Sequence, residues 1–91
     1  MKISPIIRTT VGKVVKFKKD KGYGWIVLDD ERWKDAFVSY RDIEPDEEGK
    51  RCLNEKELVK FNLHENEKGY IAKEVTRLTS NEFEQFKIIN G

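Results

Sequence analysis

Residues 21–26 read Lys21-Gly22-Tyr23-Gly24-Trp25-Ile26, and residues 37–40 read Phe37-Val38-Ser39-Tyr40. Successive side chains of a β-strand point to opposite faces of its sheet. If Ile26 and Val38 point into a core, the other large side chains of both segments point outward. That outward set consists of Tyr23, Trp25 and Phe37. Exposed rings are flat surfaces on which nucleobases stack, at about 1–3 kcal/mol per base. The two segments therefore predict paired strands with an aromatic surface for unpaired nucleic acid.

The composition is that of one small domain. The chain has 91 residues, of which 38% are charged and 37% apolar, so three or more strands can close on a lean core. No apolar run approaches membrane-spanning length, and the first residues hold too short an apolar region for a secretory signal. Cys52 is the only cysteine. An internal disulfide is therefore excluded, and a reducing, cytoplasmic location is expected.

The charge is unevenly distributed although the net charge is only +1. Residues 1–43 hold ten basic and six acidic groups, whereas residues 44–91 hold eight and eleven. The strongest basic run leads into the aromatic segment and comprises Arg8, Lys13, Lys16, Lys18, Lys19 and Lys21. Such a run is commonly a solvated face, and lysines on an exposed strand also discourage edge pairing. Its position beside the aromatic residues favours an anionic polymer as partner.

Alternating apolar residues and turn signals predict five strands. They lie at residues 10–18, 23–28, 35–40, 57–64 and 70–78, with a long surface loop over 41–55. A two-helix RNA-recognition fold uses a similar aromatic segment, but it needs helical crossovers, and the loops before residue 40 are too short for them. Closing five strands into a small barrel also removes exposed edges. The fold class predicted is therefore all-β.

The C-terminal tail predicts one short helix. Thr79 and Glu82 have the spacing of a capping box. The apolar stripe that follows consists of Phe83, Phe86 and Ile89. The favoured interpretation is that this stripe packs against the barrel, together with the isoleucines of residues 3–7. The alternative is that it contacts a protein partner or a second copy of the chain.

Residues 11–78 resemble the cold-shock domain family, which includes bacterial cold-shock proteins and the domain of Y-box proteins. Residues 20–26 resemble its first nucleic-acid motif, usually Lys-Gly-Phe-Gly-Phe-Ile. Residues 35–40 resemble its second, usually Asp-Val-Phe-Val-His-Phe. The resemblance implies a five-stranded antiparallel barrel of the oligonucleotide-binding (OB) type. The chain then divides into an N-terminal extension (1–9), the domain (10–78) and a C-terminal helical extension (79–91).

The resemblance also implies single-stranded RNA or DNA lying across the first three strands, and a role as an RNA chaperone or a modulator of transcription or translation. The stacking residues it implies are Phe17, Tyr23, Trp25, Phe37 and Tyr40. Lys21 and Lys68 are implied to meet phosphates or base edges. The other candidate binding residues are Lys13, Lys16, Lys18, Trp33 and Ser39.

Some positions depart from the family pattern. Lys16 replaces a tryptophan, Ser39 replaces a histidine, and Val15 replaces a lysine. Trp33 stands as an insertion and is a candidate replacement for a missing stacking partner. The departures motivate a second hypothesis, in which the same barrel binds a polymerase or another protein through its acidic loop (residues 44–48) and its C-terminal tail. A third possibility is that terminal segments cover the rings of Tyr23 and Trp25.

Catalysis, metals and cofactors find no support in the sequence. The acidic residues of 29–35 lack the spaced oxygen ligands and glycine of a calcium loop. One histidine and one cysteine cannot form the usual structural zinc site. No serine or cysteine has a recognisable base nearby in sequence. The expectation is a binding protein without enzyme activity.

Overall fold

The computed structural model describes residues 2–90. The elements in chain order are β1 (Arg8–Lys18), β2 (Tyr23–Leu28), β3 (Asp35–Ser39), a 3-10 turn (Tyr40–Asp42), β4 (Leu58–Asn66), β5 (Gly69–Arg77) and α1 (Ser80–Asn90). The strands form a closed barrel in the order β1-β2-β3-β5-β4. The all-β prediction of a five-stranded barrel with one short helix is confirmed. The strand bounds differ from the predicted ones by at most two residues.

The barrel closes through one short parallel seam. The pairs β1–β2, β1–β4, β2–β3 and β4–β5 are antiparallel. Strand β3 instead runs parallel to β5, with Ala36 opposite Tyr70 and Phe37 opposite Ile71. The predicted antiparallel arrangement did not contain this seam, because parallel neighbours are joined by a long connection that local sequence patterns do not reveal. The outward face of β3 therefore continues into the outward face of β5.

Strand β1 contains a β-bulge. Val14 pairs with Ile26 and Lys16 pairs with Trp25, so Val15 is an extra residue without a partner in β2. An extra residue reverses the alternation beyond it. Val15 and Lys16 both face solvent, and Phe17 beyond them is consequently 8% exposed and packs in the core. The structure therefore corrects the prediction that Phe17 is one of the outward stacking rings.

The core lies inside the barrel and is built from alternate residues of the strands. Ile26, Val38 and Leu63 are fully buried. The segment between β3 and β4 also contributes to the core, since Ile43 and Leu53 are buried and Ile43 forms a bridge with Val75. This segment was predicted as a surface loop. These two apolar side chains pack in the core and hold the segment in place.

The terminal extensions pack along opposite ends of β4. The Ser4 N–H donates to the Glu65 carbonyl oxygen at 2.8 Å, and the Ile7 N–H donates to that of Leu63 at 2.7 Å. The isoleucines at positions 3, 6 and 7 stay 44–54% exposed. Helix α1 lies at the other end, where Phe83 and Leu58 line one cleft. The N-terminal isoleucines therefore do not join the apolar stripe of the helix.

The start of α1 has the predicted capping box. The Glu82 N–H donates to Thr79 Oγ1 at 3.2 Å, and the Thr79 N–H donates to Glu82 Oε1 at 2.8 Å. This backbone hydrogen bond from Thr79 lowers the pKa of Glu82. Phe83 is buried, with Lys87 Nζ 5.4 Å from its ring centroid and 3.7 Å from the Asp29 carboxylate. The favoured interpretation holds for Phe83, whereas Ile89 is 75% exposed. No helix within residues 2–90 combines the length and apolarity required to span a membrane.

Candidate nucleic-acid interface

Three aromatic rings form one cluster on the outer face of β2 and β3. The centroids of Tyr23 and Trp25 lie 5.6 Å apart with the ring planes at 86°, and those of Trp25 and Phe37 lie 6.1 Å apart at 75°. Tyr23 and Phe37 stack at 5.8 Å and 30°. Edge-to-face and offset contacts of this kind are favourable for aromatic pairs. The rings therefore hold one another in fixed orientations.

Strict alternation in β2 and β3 places this cluster, which we call the ring platform, outside the barrel. Ile26 and Val38 are fully buried, and the opposite faces of the same strands carry the rings. Trp25 is paired directly with Phe37. Phe37 is 38% exposed, while Tyr23 and Trp25 are half-buried against it and one another. The residues described at both chain ends lie along β4 and leave Phe37 open to solvent.

Lysines of β1 flank one side of the ring platform. Lys16 pairs with Trp25 and Lys18 pairs with Tyr23 in the ladder between β1 and β2. Lys18 Nζ lies 5.5 Å from the Tyr23 ring centroid, a cation–π distance. The bulge at Val15 turns Lys16 outward, so the position that holds a tryptophan in the family pattern here supplies a positive charge. The rings and these lysines form one surface.

Lys68 lies on the other side of the ring platform, in the turn between β4 and β5. Its backbone N–H donates to Asn66 Oδ1 at 2.8 Å, which fixes the turn. Lys68, Trp25 and Phe37 line a groove of about 420 Å³ together with Tyr70. The predicted candidate Lys68, distant in sequence from the aromatic segment, is thus brought to it by the β3–β5 seam.

Tyr40 and Lys21 lie together beside the ring platform, where β2 begins and β3 ends. They line a shallow groove with Lys50 and Arg51. Tyr40 is 44% exposed, and Arg41 Nε donates to Tyr40 Oη at 3.4 Å, which lowers the pKa of Tyr40. Arg41 and Arg51 were not predicted as site residues. The position of Arg41 directly after Tyr40 was the available signal.

Gly22 and Ser39 shape the backbone beneath Tyr40. A Cβ at Gly22, whose φ is +76°, would lie 2.8 Å from Tyr40 Cδ1, so glycine permits the ring to pack on the turn. The Ser39 hydroxyl accepts a hydrogen bond from the Arg41 N–H at 3.4 Å and caps the 3-10 turn. Ser39 remains opposite Tyr23 in the ladder. Its observed contact is structural.

Lys13 and Trp33 lie toward the opposite end of β2 from Tyr40. Lys13 pairs with Val27 and lines the cleft beside α1. Trp33 is 79% exposed in the loop between β2 and β3. Arg8 anchors this loop through Glu31 at 2.6 Å and Asp30 at 3.0 Å, and the two carboxylates raise the pKa of Arg8. The loop that carries Trp33 is therefore held against the barrel.

The candidate residues thus fall into four places. The central surface contains Lys16, Lys18, Tyr23, Trp25, Phe37, Ser39 and Lys68. Lys21 and Tyr40 extend it at one end, and Lys13 and Trp33 extend it at the other, while Phe17 lies in the core. Within residues 2–90, no three His, Cys, Asp or Glu side chains are grouped so that they could hold a metal ion.

A closed five-stranded barrel with outward rings on neighbouring strands belongs to the class of small OB-type barrels. A family model described as the "Cold-shock" DNA-binding domain matches residues 10–78. The chain belongs to this cold-shock domain family. Its members bind nucleic acid, and the family is not one of enzymes.

Curated relatives from several bacteria match most of the chain. A cold shock-like protein of Aquifex aeolicus is 42% identical over 64 residues, which cover 70% of this chain and 87% of that protein. The cold shock-like protein CspG of Escherichia coli is 39% identical over 67 residues, covering 74% and 91%. The major cold shock protein CspA of Bacillus cereus is 36% identical over 70 residues, covering 77% and 98%.

Proposed function

We propose that the protein binds single-stranded RNA or DNA by stacking unpaired bases on Tyr23, Trp25 and Phe37. The observation that carries the proposal is the packing of three outward rings within 6.1 Å of one another beside Lys16 and Lys18. Each base has a flat face, so stacking on such rings tolerates many sequences. The lysines neutralise the phosphates that follow the stacked bases.

The output of this binding is RNA chaperoning in the cytoplasm, with effects on transcription or translation that follow from it. A surface that accepts only unstacked bases binds the open strand and not the hairpin. Mass action then shifts the hairpin equilibrium toward the open form. The shift is limited by the difference in affinity between the two forms, and it requires no nucleotide hydrolysis.

The test is fluorescence anisotropy of a labelled single-stranded oligonucleotide titrated with protein. Tyr23→Ala and Phe37→Ala are each expected to weaken binding by about 5- to 150-fold, the equivalent of one lost stacking contact. The matched control is Ile89→Ala, which also truncates an exposed apolar side chain but lies on α1. Equal affinity for wild type and both ring variants, with melting curves that show folded protein, would contradict the proposal.

A second measurement tests the chaperone output. A hairpin labelled with a fluorophore and a quencher brightens when it opens. Wild type is expected to lower its melting temperature further as protein concentration rises, and Phe37→Ala is expected to do so only at higher concentration. If the protein bound open strands tightly and hairpin melting did not change, the binding proposal would stand and the chaperone role would be refuted.

A second candidate function is a protein contact through α1. The observation that favours it is the exposure of Ile88 (73%) and Ile89 (75%) on a helix whose Phe83 already packs on the barrel. Exposed apolar residues on one helix face can form an interface with a polymerase, another protein or a second copy. Sedimentation of wild type and Ile89→Lys tests the self-association branch. A concentration-dependent dimer that Ile89→Lys dissociates would establish it, and a monomer at all concentrations would reject it.

A further inference from the structure

A second groove continues the ring platform along the outer face of β2. It has a volume of about 320 Å³, and its lining includes Val15, Val27, Trp33 and Tyr70. We infer that this groove is an additional base subsite, in which one unpaired base of the strand lying on the ring platform packs between Trp33 and the two valines. The inference rests on the proposed function and names one further position for the same ligand.

The floor of the groove is apolar because two valines, Val15 and Val27, line it. Val27 follows Tyr23 and Trp25 on the outward face of β2, so it continues the same row of side chains. Val15 is the extra residue of the bulge and is turned out to 54% exposure. Two neighbouring valines on an outer face leave apolar area in water, and burial of that area under a flat ligand is favourable.

Trp33 lines the groove, and hydrogen bonds hold the loop that carries it. The Lys34 N–H donates to the Glu31 carbonyl oxygen at 2.8 Å, and the Leu28 N–H donates to that of Lys34 at 3.1 Å. The Tyr70 hydroxyl donates to the Glu31 carboxylate at 3.2 Å. Because the loop is already ordered, binding at Trp33 does not have to order its backbone, which lowers the entropic cost of the contact.

The rim of the groove carries charges of both signs around its apolar surfaces. The carboxylates of Asp35 and Glu65 lie in the groove beside the basic groups of Arg32, Lys34 and Lys68. The basic groups can contact the phosphates on either side of a base that lies in the groove. A base stacks on the apolar surfaces, and its exocyclic amino group can donate to a carboxylate, as cytosine N4 does.

Lys68 joins the new groove to the ring platform. It lines both grooves, as do Asp35 and Tyr70. A strand whose bases stack on Trp25 and Phe37 therefore meets Lys68 before it reaches Trp33. Single exposed aromatic residues are common and carry no meaning alone. Here the exposed ring lines the same groove as two outward valines, and this groove is contiguous with the ring platform.

The experiment compares oligonucleotides of different lengths. Fluorescein-labelled oligodeoxycytidylates of roughly 4 to 16 nucleotides, the range of OB-fold site sizes, are titrated with wild type, Trp33→Ala, Trp33→Phe and Phe37→Ala. For long strands, Trp33→Ala is expected to weaken binding by about 5- to 150-fold, and Trp33→Phe is expected to retain most of the affinity. For the shortest strands, which the ring platform alone accommodates, Trp33→Ala should bind as wild type does. Phe37→Ala should weaken binding at every length.

The outcomes separate this inference from the function on which it rests. Loss by Phe37→Ala at all lengths, with no loss by Trp33→Ala at any length, overturns the additional subsite and leaves the ring platform intact. An equal loss by Trp33→Ala for short and long strands also overturns it. No loss by either variant refutes both proposals. Because Trp33 is 79% exposed, its removal should leave thermal unfolding unchanged, which a melting curve verifies.

Discussion

Strands β1 and β2 lie side by side, yet only one of them keeps its alternation from end to end. In β2, buried and outward residues alternate without interruption from Tyr23 to Leu28. In β1, Val15 interrupts the alternation, so Val15 and Lys16 both face solvent and Phe17 turns inward. As a result, β2 contributes rings to the outer surface, whereas β1 contributes lysines to that surface and Phe17 to the core. The same contrast separates Phe17 of β1, which is buried, from Phe37 of the regularly alternating strand β3, which is exposed.

The largest expected effect is on stability, at Phe17. Phe17→Ala removes a buried ring from the core and should lower the free energy of unfolding by about 3–5 kcal/mol. Phe37→Ala removes a ring that is 38% exposed and should cost clearly less. Urea denaturation of both variants measures the difference. Equal costs would show that Phe17 is not an inward ring and that β1 does not change its alternation at Val15.

The second effect concerns the close approach of the two strands at the bulge. A Cβ at Gly24 would lie 2.1 Å from the Lys16 carbonyl oxygen and 2.7 Å from Phe17 Cα. Both atoms belong to the backbone, so Gly24→Ala forces β1 and β2 apart and should cost about 3 kcal/mol. The matched control is Gly49→Ala, where a Cβ meets nothing within 4 Å and only the positive φ of 81° is unfavourable.

For Gly49→Ala the expected cost is about 1 kcal/mol, the penalty of a left-handed residue with a Cβ. Thermal or urea unfolding of the two glycine variants gives the comparison directly. If Gly24→Ala were as mild as the control, the strands would have room that the structure does not show.

The sequence predicts the regular part of this molecule well. Alternation around Ile26 and Val38 gives the ring platform, because each strand of that pair has one buried face. Alternation fails in β1, since a bulge depends on how neighbouring strands twist and close, and Val15 resembles an ordinary strand residue. Lys68 was predicted through the family resemblance, whereas its groove with Trp25 depends on a parallel seam between distant segments. The burial of Leu53 likewise depends on packing against core residues that are distant in sequence.

The third effect is on the affinity for single-stranded nucleic acid, and it again compares Phe17 with Phe37. Phe17→Leu and Phe37→Leu both keep an apolar side chain of similar volume while removing the flat ring face. Phe37→Leu should weaken binding of a single-stranded oligonucleotide by about 5- to 150-fold, because stacking is lost. Phe17→Leu should bind as wild type does and lose less than about 1.5 kcal/mol of stability. A loss of affinity in Phe17→Leu at temperatures where it is folded would place that ring against the ligand after all.

The smallest effect distinguishes the charges on β1 from the rings on β2 and β3. Lys18→Gln should weaken binding only a few-fold at low salt, and the deficit should shrink as salt rises, because one phosphate contact and its released counterion are lost. The slope of log affinity against log salt should fall in magnitude by about 0.7 for that contact. Phe37→Leu should lower affinity without changing this slope, since stacking releases no counterion. Lys60→Gln carries the same charge change on the exposed face of β4 and serves as the control. If Lys60→Gln changed the slope as much as Lys18→Gln does, the effect would come from net charge, and β1 would hold no phosphate contact of its own.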